Sequence, residues 1–133
     1  MDGTAEKSIL IVEDELVSRL FLTHCVRRMG LRVVGTASTG EEAIEQAGGL
    51  RPDLVIMDVG LKGEMNGARA ADLIYRRRQV PILFVSAYTH EEICRHTDLP
   101  EILDYLPKPV NARQLESKLR VMLERGDEGL GDF

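Results

Sequence analysis

Short apolar runs separated by longer segments of helical period make up nearly the whole chain, and this alternation limits the fold more than any other feature. Ser8–Val12 reads as a buried strand, after which Leu16, Val17, Leu20, Phe21 and Val26 recur at helical spacing to about Met29, where Gly30 supplies a stop. Arg32–Gly35 is a second strand, and Thr39 with Glu42 opens a helix expected to run through Gln46 and end at Gly48-Gly49. Leu54–Met57, entered through Pro52, is the third strand. A glycine-bearing loop, Val59–Gly67, leads from it to a helix over Ala68–Arg77. Ile82–Val85, entered through Pro81, is the fourth strand, and Thr89 with Glu92 predicts a helix of about two turns. Ile102–Leu106 holds a weak fifth strand, and Asn111 with Gln114 opens a last helix to about Glu124. Five β-α units in succession predict an α/β fold: one doubly wound five-stranded parallel sheet with helices on both faces and right-handed crossovers. Charge placement agrees: Glu41, Glu42, Glu91 and Glu92 fall in first turns, while Arg27, Arg28, Arg76, Arg77 and Arg78 fall at last turns.

A chain of 133 residues with 44% hydrophobic and 29% charged residues suits a single globular domain. Its expected limits are a flexible N-terminus over 1–6, a domain over 7–124, and a flexible tail or start of a linker over 125–133, where three glycines and three acids cluster. Seventeen basic against 22 acidic side chains leave a net charge of −5, which argues against nucleic acid as a direct partner. No apolar run approaches membrane-spanning length and no signal peptide opens the chain. Two cysteines, Cys25 and Cys94, form neither a disulfide framework nor a CxxC pair, so a cytoplasmic location is expected.

In a parallel sheet, the residues just past the strand C-termini share one edge. That rim receives Glu13 and Asp14 from the first strand, Asp58 from the third, Ser86 from the fourth and Lys108 from the fifth. Any one of these is explained as a cap or a solvated loop residue; four strands delivering acids, a hydroxyl and an ammonium to one rim are not. Clustered carboxylates repel unless a cation joins them, and hard oxygen donors suit Mg²⁺. A divalent cation, an ammonium and a hydroxyl donor together suit a phosphoryl group. The familiar phosphate motifs are missing. Glu13-Asp14-Glu15-Leu16-Val17 stands where a P-loop or a GxGxxG turn would be, and the chain has neither a GxSxG nor an HExxH. Phosphatases with an aspartate nucleophile usually place a second acid two residues on, where Asp14 has Leu16 and Asp58 has Gly60.

Four segments, in order, resemble the CheY-like receiver domains of bacterial two-component response regulators. They are Ile9-Leu10-Ile11-Val12-Glu13-Asp14-Glu15, Pro52-Asp53-Leu54-Val55-Ile56-Met57-Asp58, Pro81-Ile82-Leu83-Phe84-Val85-Ser86-Ala87, and Tyr105-Leu106-Pro107-Lys108-Pro109. The resemblance spans about residues 7–124. It implies the flavodoxin-like strand order 2-1-3-4-5, an order for which a member of this same family is a standard illustration. It implies that Asp58 accepts a phosphoryl group from a sensor histidine kinase or phosphotransfer protein. Mg²⁺ would be held by Glu13, Asp14, Asp58 and the backbone carbonyl of Gly60. Ser86 and Lys108 would contact the phosphoryl, and Tyr105 would turn inward as Ser86 moves. Gly60 and Tyr88 occupy the positions that tune phosphoryl lifetime, and a cis Lys108–Pro109 bond is expected. Asp58 alone is expected to have the cation on one side and Lys108 on the other. Lys62 stands where many receivers have a proline, so a looser loop is expected there.

The reading is therefore a phosphorelay switch that acts on a downstream target or output domain, with a phosphorylation-dependent dimer as one form of output. It would catalyse only its own phosphorylation and slow dephosphorylation. The alternatives are an unphosphorylated receiver-like interaction scaffold and a small Mg²⁺-dependent phosphohydrolase. His90, Cys94 and His96 lack the spacing of a metal site, and His24 and Cys25 read as packing or surface residues. Arg76-Arg77-Arg78 reads as a solvated helix end opposite the acidic rim.

Overall fold

The computed structural model describes residues 7–102 and 104–131, so the expected flexible N-terminus over 1–6 lies outside it, as do 103, 132 and 133. The elements are β1 (Ser8–Val12), α1 (Leu16–Arg28), β2 (Arg32–Ala37), α2 (Gly40–Leu50), β3 (Leu54–Met57), α3 (Gly67–Arg77), β4 (Ile82–Ser86), α4 (His90–His96), a 3-10 turn (Pro100–Ile102), β5 (Asp104–Pro107) and α5 (Ala112–Gly131). The sheet is parallel throughout, in the order β2-β1-β3-β4-β5.

Alternation along each strand separates two cores. Leu10, Val12, Val55, Met57, Ile82 and Phe84 face α2, α3 and α4, whereas Ile9, Ile11, Leu54, Ile56, Leu83 and Val85 face α1 and α5. The central strands β1, β3 and β4 are buried on both faces, which is why they read as continuous apolar runs.

The expected caps form at three helices. Thr89 and Glu92 make a reciprocal capping box, Asn111 and Gln114 bond each other's backbone N–H, and Thr39 accepts from the Glu42 N–H. Glu42 reaches back one residue further than expected, to the N–H of Ser38.

Several element ends differ from expectation, four elements by the most. Strand β2 continues to Ala37 because its last three residues pair with Leu10–Val12. Helix α2 runs through Gly48 and Gly49 to Leu50 and stops at Arg51, whose left-handed backbone (φ 49°) returns its N–H to the Ala47 carbonyl before Pro52. Strand β5 is shifted to Asp104–Pro107, the register in which Tyr105 opposes Phe84, and Ile102 lies in the preceding turn. Helix α5 continues past Glu124 to Gly131, since no proline interrupts the segment and glycine alone only weakens a helix. Arg78 also departs from the solvated reading: its guanidinium turns inward and donates to the Pro52 carbonyl at 2.5 Å. Among the described residues, no helix is long and apolar enough to cross a membrane.

Candidate functional site

The backbone ladder extends one residue beyond the strands and thereby aims the rim. The Glu13 N–H donates to the Ala37 carbonyl at 2.9 Å, the Asp58 N–H to Val12 at 3.0 Å, and the Lys108 N–H to Ser86 at 2.9 Å. Side chains from three loops are thus held by sheet geometry rather than by loop conformation.

Lys108 forms the hub. Its Nζ donates to Glu13 Oε1 at 2.5 Å and to Asp58 Oδ2 at 3.1 Å, and stands 3.7 Å from Glu15 Oε1. This corrects the expectation that Lys108 singles out Asp58, because the longer Glu13 side chain reaches the ammonium more closely. What distinguishes Asp58 is access. Glu13 is wholly buried, and its second oxygen accepts the Glu15 N–H at 3.1 Å. Asp58 keeps about a tenth of its side chain exposed, with Oδ1 accepting a 3.3 Å bond from the Gly60 N–H. The pocket between these strand ends is lined by Asp14, Glu15, Asp58, Gly60, Ser86, Ala87, Tyr88 and Lys108.

Burial raises the Glu13 carboxyl above its ordinary pKa, even though Lys108 and the Glu15 N–H favour the anion. Burial pulls the other way on Lys108, but its bond to Glu13 and the charge of Asp58 prevail and leave its pKa raised. Each group thus favours the charged form of the other, while burial disfavours the charge on both. Glu13, Asp14 and Asp58 bring carboxylate oxygens within 4.8 Å of one another, a spacing and chemistry that fit a hard divalent cation. Among the described residues this is the one such group. His90, Cys94 and His96 form none, although Cys94 Sγ lies 3.6 Å from His90 Nδ1; His24 is exposed and Cys25 buried.

Tyr88 connects the remaining predicted residues. Its N–H donates to the buried Ser86 Oγ at 3.2 Å, and its carbonyl accepts the Tyr105 hydroxyl at 2.8 Å. Ser86 and Tyr105, 19 positions apart by number, are therefore joined through one intervening residue. Tyr105 is half-buried, with the His90 ring against it at 5.7 Å in a T-shaped pair. The Tyr88 ring covers Gly60, lying 3.3 Å from where a Cβ on that glycine would sit. The loop carrying Lys62 makes defined contacts: Lys62 forms a parallel bridge with Thr39, and Met65 packs on Gly40. Lys108–Pro109 is cis, as the resemblance implies.

Two contributors were missed from sequence. Gly67 lies so close that a Cβ would sit 1.8 Å from the Asp58 carbonyl oxygen. Its position just after the Asn66 cap was the available signal, but the close approach depends on how α3 meets β3. Arg19 donates to the Glu13 carbonyl at 3.2 Å, a contact that no local pattern announces.

The family model for the response regulator receiver domain matches residues 9–120. The chain belongs to the response regulator receiver family. This receiver is similar to the transcriptional regulatory protein PdtaR of Mycobacterium tuberculosis, with 32% identity over 93% of this chain and 60% of that protein. It is 33% identical to the transcriptional regulatory protein AfsQ1 of Streptomyces coelicolor, over 90% of this chain and 52% of that protein. The receiver thus spans little more than half the length of these relatives. Among solved structures, it resembles the signal receiver domain of a modulated diguanylate cyclase from Desulfovibrio desulfuricans (TM-score 0.83, 28% identity, 92% of this chain and 97% of that one). It also resembles the response regulator domain of Thermotoga maritima CheB (TM-score 0.75, 27% identity, 89% and 96%). Receivers are signalling switches rather than catalysts, and they work with histidine kinases and output domains.

Proposed function

We propose that this receiver is a phosphorylation-dependent switch in which Asp58 accepts a phosphoryl group from a sensor histidine kinase or phosphotransfer protein. One observation carries the reading. Asp58 is the carboxylate that has Lys108 at 3.1 Å, acidic neighbours within 4.8 Å and a side chain still open to the pocket. In the reaction a carboxylate oxygen of Asp58 forms the new P–O bond as the P–N bond to the donor histidine breaks. The imidazole leaves with the electron pair, and an acyl phosphate remains. Lys108 neutralises charge on the transferred group from one side. Glu13, Asp14, Asp58 and the Gly60 carbonyl would hold Mg²⁺, which supplies the opposing positive charge. Ser86 would turn its hydroxyl to a phosphoryl oxygen, which withdraws it from the Tyr88 N–H. The strain passes to the Tyr88 carbonyl and Tyr105, shifting an equilibrium between two arrangements of the fourth and fifth β-α units. The Tyr88 ring over Gly60 would govern water's approach and so the adduct's lifetime.

The docking face follows from where a donor must stand. Beside Lys108 a largely apolar groove is lined by Val17, Phe21, Leu22, Val85, Pro109 and Val110, and α1 exposes Leu16, Val17 and Leu20. A donor bringing a phosphohistidine to Asp58 covers this surface. The greater length of the regulatory relatives favours an output domain or separate target, with or without dimerisation, and the expected compartment is the cytoplasm.

Incubation with acetyl phosphate and Mg²⁺, followed by mass spectrometry, is expected to show one added phosphoryl group, located at Asp58. Asp58→Asn abolishes it without unfolding the chain, whereas Ser86→Ala weakens the switch and keeps the adduct. Labelling of Asp58→Asn at the parental rate, or no labelling of the parent by any donor, would leave the scaffold reading. Repeated turnover of a small phosphate ester would favour the phosphohydrolase.

A further inference from the structure

Asp72 lies on α3 among Ala68, Ala70, Ala71 and Ile74 and is 1% exposed, so its carboxylate requires dedicated partners. Both partners come from the exit of α4. Asp72 Oδ1 accepts the Thr97 hydroxyl at 2.5 Å, and Oδ2 accepts the Asp98 N–H at 2.9 Å. The Thr97 oxygen in turn accepts the Leu99 N–H at 3.0 Å. Outside this knot the Asp98 carboxylate pairs with Arg76 at 3.2 Å and lies 3.7 Å from Arg69, both on α3. Two part-buried and two exposed contacts thus tie residues 97 and 98 to one face of α3.

The other end of α4 is held differently. Its capping residue Thr89 follows Tyr88, whose N–H and carbonyl are the two bonds linking Ser86 to Tyr105. His90, the first helical residue, presents its ring to Tyr105. Of the helix itself, only Ile93 is buried. A seven-residue helix with one buried anchor can tilt readily, and its two ends differ in what they respond to.

We propose that Asp72 is a latch that fixes the C-terminal end of α4 to α3, so that phosphorylation swings the helix by its N-terminal end alone. The swing rests on the switch reading above; the latch does not. Asp72 is a positioning residue with no contact to the phosphoryl group. A helix free at both ends would slide or fray when Tyr88 moves. A latched one converts that movement into a tilt about residue 97, which re-aims the exposed side chains of α4.

Hydrogen exchange on the whole chain tests this, with beryllofluoride and Mg²⁺ as the phosphoryl mimic and with Thr97→Val and Thr97→Ser as variants. In the parent, the mimic is expected to change exchange over 88–92 while leaving 94–98 within about twofold. Without the mimic, Thr97→Val is expected to speed exchange of the Asp98 amide and of α4 by about tenfold, the loss of one hydrogen bond to a charged acceptor. With the mimic its response spreads along the whole helix. Thr97→Ser, which keeps the hydroxyl, returns both patterns to the parent's. Unchanged α4 exchange in Thr97→Val overturns the latch, and an equal response at both ends of α4 in the parent overturns the swing. If amides around Asp58 and Ser86 ignore the mimic in every variant, the switch reading fails and the swing with it, while the Thr97→Val comparison still decides the latch.

Discussion

Replacing Lys108 with methionine keeps most of the side-chain volume and removes the charge on which the acidic rim depends. Carboxylate oxygens of Glu13, Asp14 and Asp58 lie within 4.8 Å, so each pair repels by at least about 3.5 kcal/mol at an effective dielectric near 20, or about 10 kcal/mol for the three. On the same scale the Lys108 contacts at 2.5 and 3.1 Å attract by about 12 kcal/mol together. The two gross terms nearly cancel, and the ammonium is what makes a buried Glu13 tolerable. Losing one member of such a buried set costs about 3–5 kcal/mol net. For a domain of this size that is a fall in Tm of roughly 10–15 °C in metal-free buffer near pH 8. Mg²⁺ is then expected to stabilise Lys108→Met more than the parent, because the variant has the larger unrelieved repulsion. The pH dependence has a definite sign. Lys108 has a raised folded pKa, so its contribution is complete below the ordinary lysine value and is lost only as pH climbs through the higher folded one. Glu13 is an acid with a raised folded pKa, so folding favours its protonated form, and stability falls as pH rises from the ordinary carboxylate value through the folded one. Without Lys108 that window widens upward, so the variant's deficit shrinks on going from pH 8 to pH 5. Differential scanning calorimetry at both pH values, with EDTA or Mg²⁺, measures all of this. A variant melting within about 2 °C of the parent at pH 8 in EDTA would refute the argument, since about 0.6 kcal/mol cannot represent an uncompensated buried cluster.

Gly67→Ala places a methyl 1.8 Å from the Asp58 carbonyl oxygen, so α3 must move off β3. A loss of about 3 kcal/mol, the upper end for overpacking, is expected in urea unfolding, and parental stability would show that the approach is soft. Tyr88→Ala uncovers Gly60 and is expected to change the autodephosphorylation rate severalfold while leaving labelling by acetyl phosphate intact; an unchanged decay would place the ring outside water's path. Val17→Asp puts a charge on the exposed apolar face of α1. It is expected to slow transfer from a histidine kinase about tenfold or more, while acetyl phosphate labels it at the parental rate. Equal loss with both donors would move the docking face elsewhere.

The parallel sheet, its five β-α units and the rim of Glu13, Asp14, Asp58, Ser86 and Lys108 could be read from the chain because each depends on local rules. Burial on both faces writes continuous apolar runs, caps mark helix starts, and parallel strands deliver their following residues to one edge. The ends of α2 and β5 could not be read so well. Two glycines looked like a stop, but the helix ends where the chain turns into β3, and strand register was decided by β4. Tertiary structure alone decided three other matters. Glu13 meets Lys108 at 2.5 Å because both are largely closed off from solvent at the same strand ends. Gly67 is required because α3 crosses the Asp58 carbonyl. Asp72 is buried because a segment 25 residues later returns to meet it. Residue type and spacing determine which groups reach an edge; distance and solvent exclusion determine which of them interact, and those exist only once the chain has closed on itself.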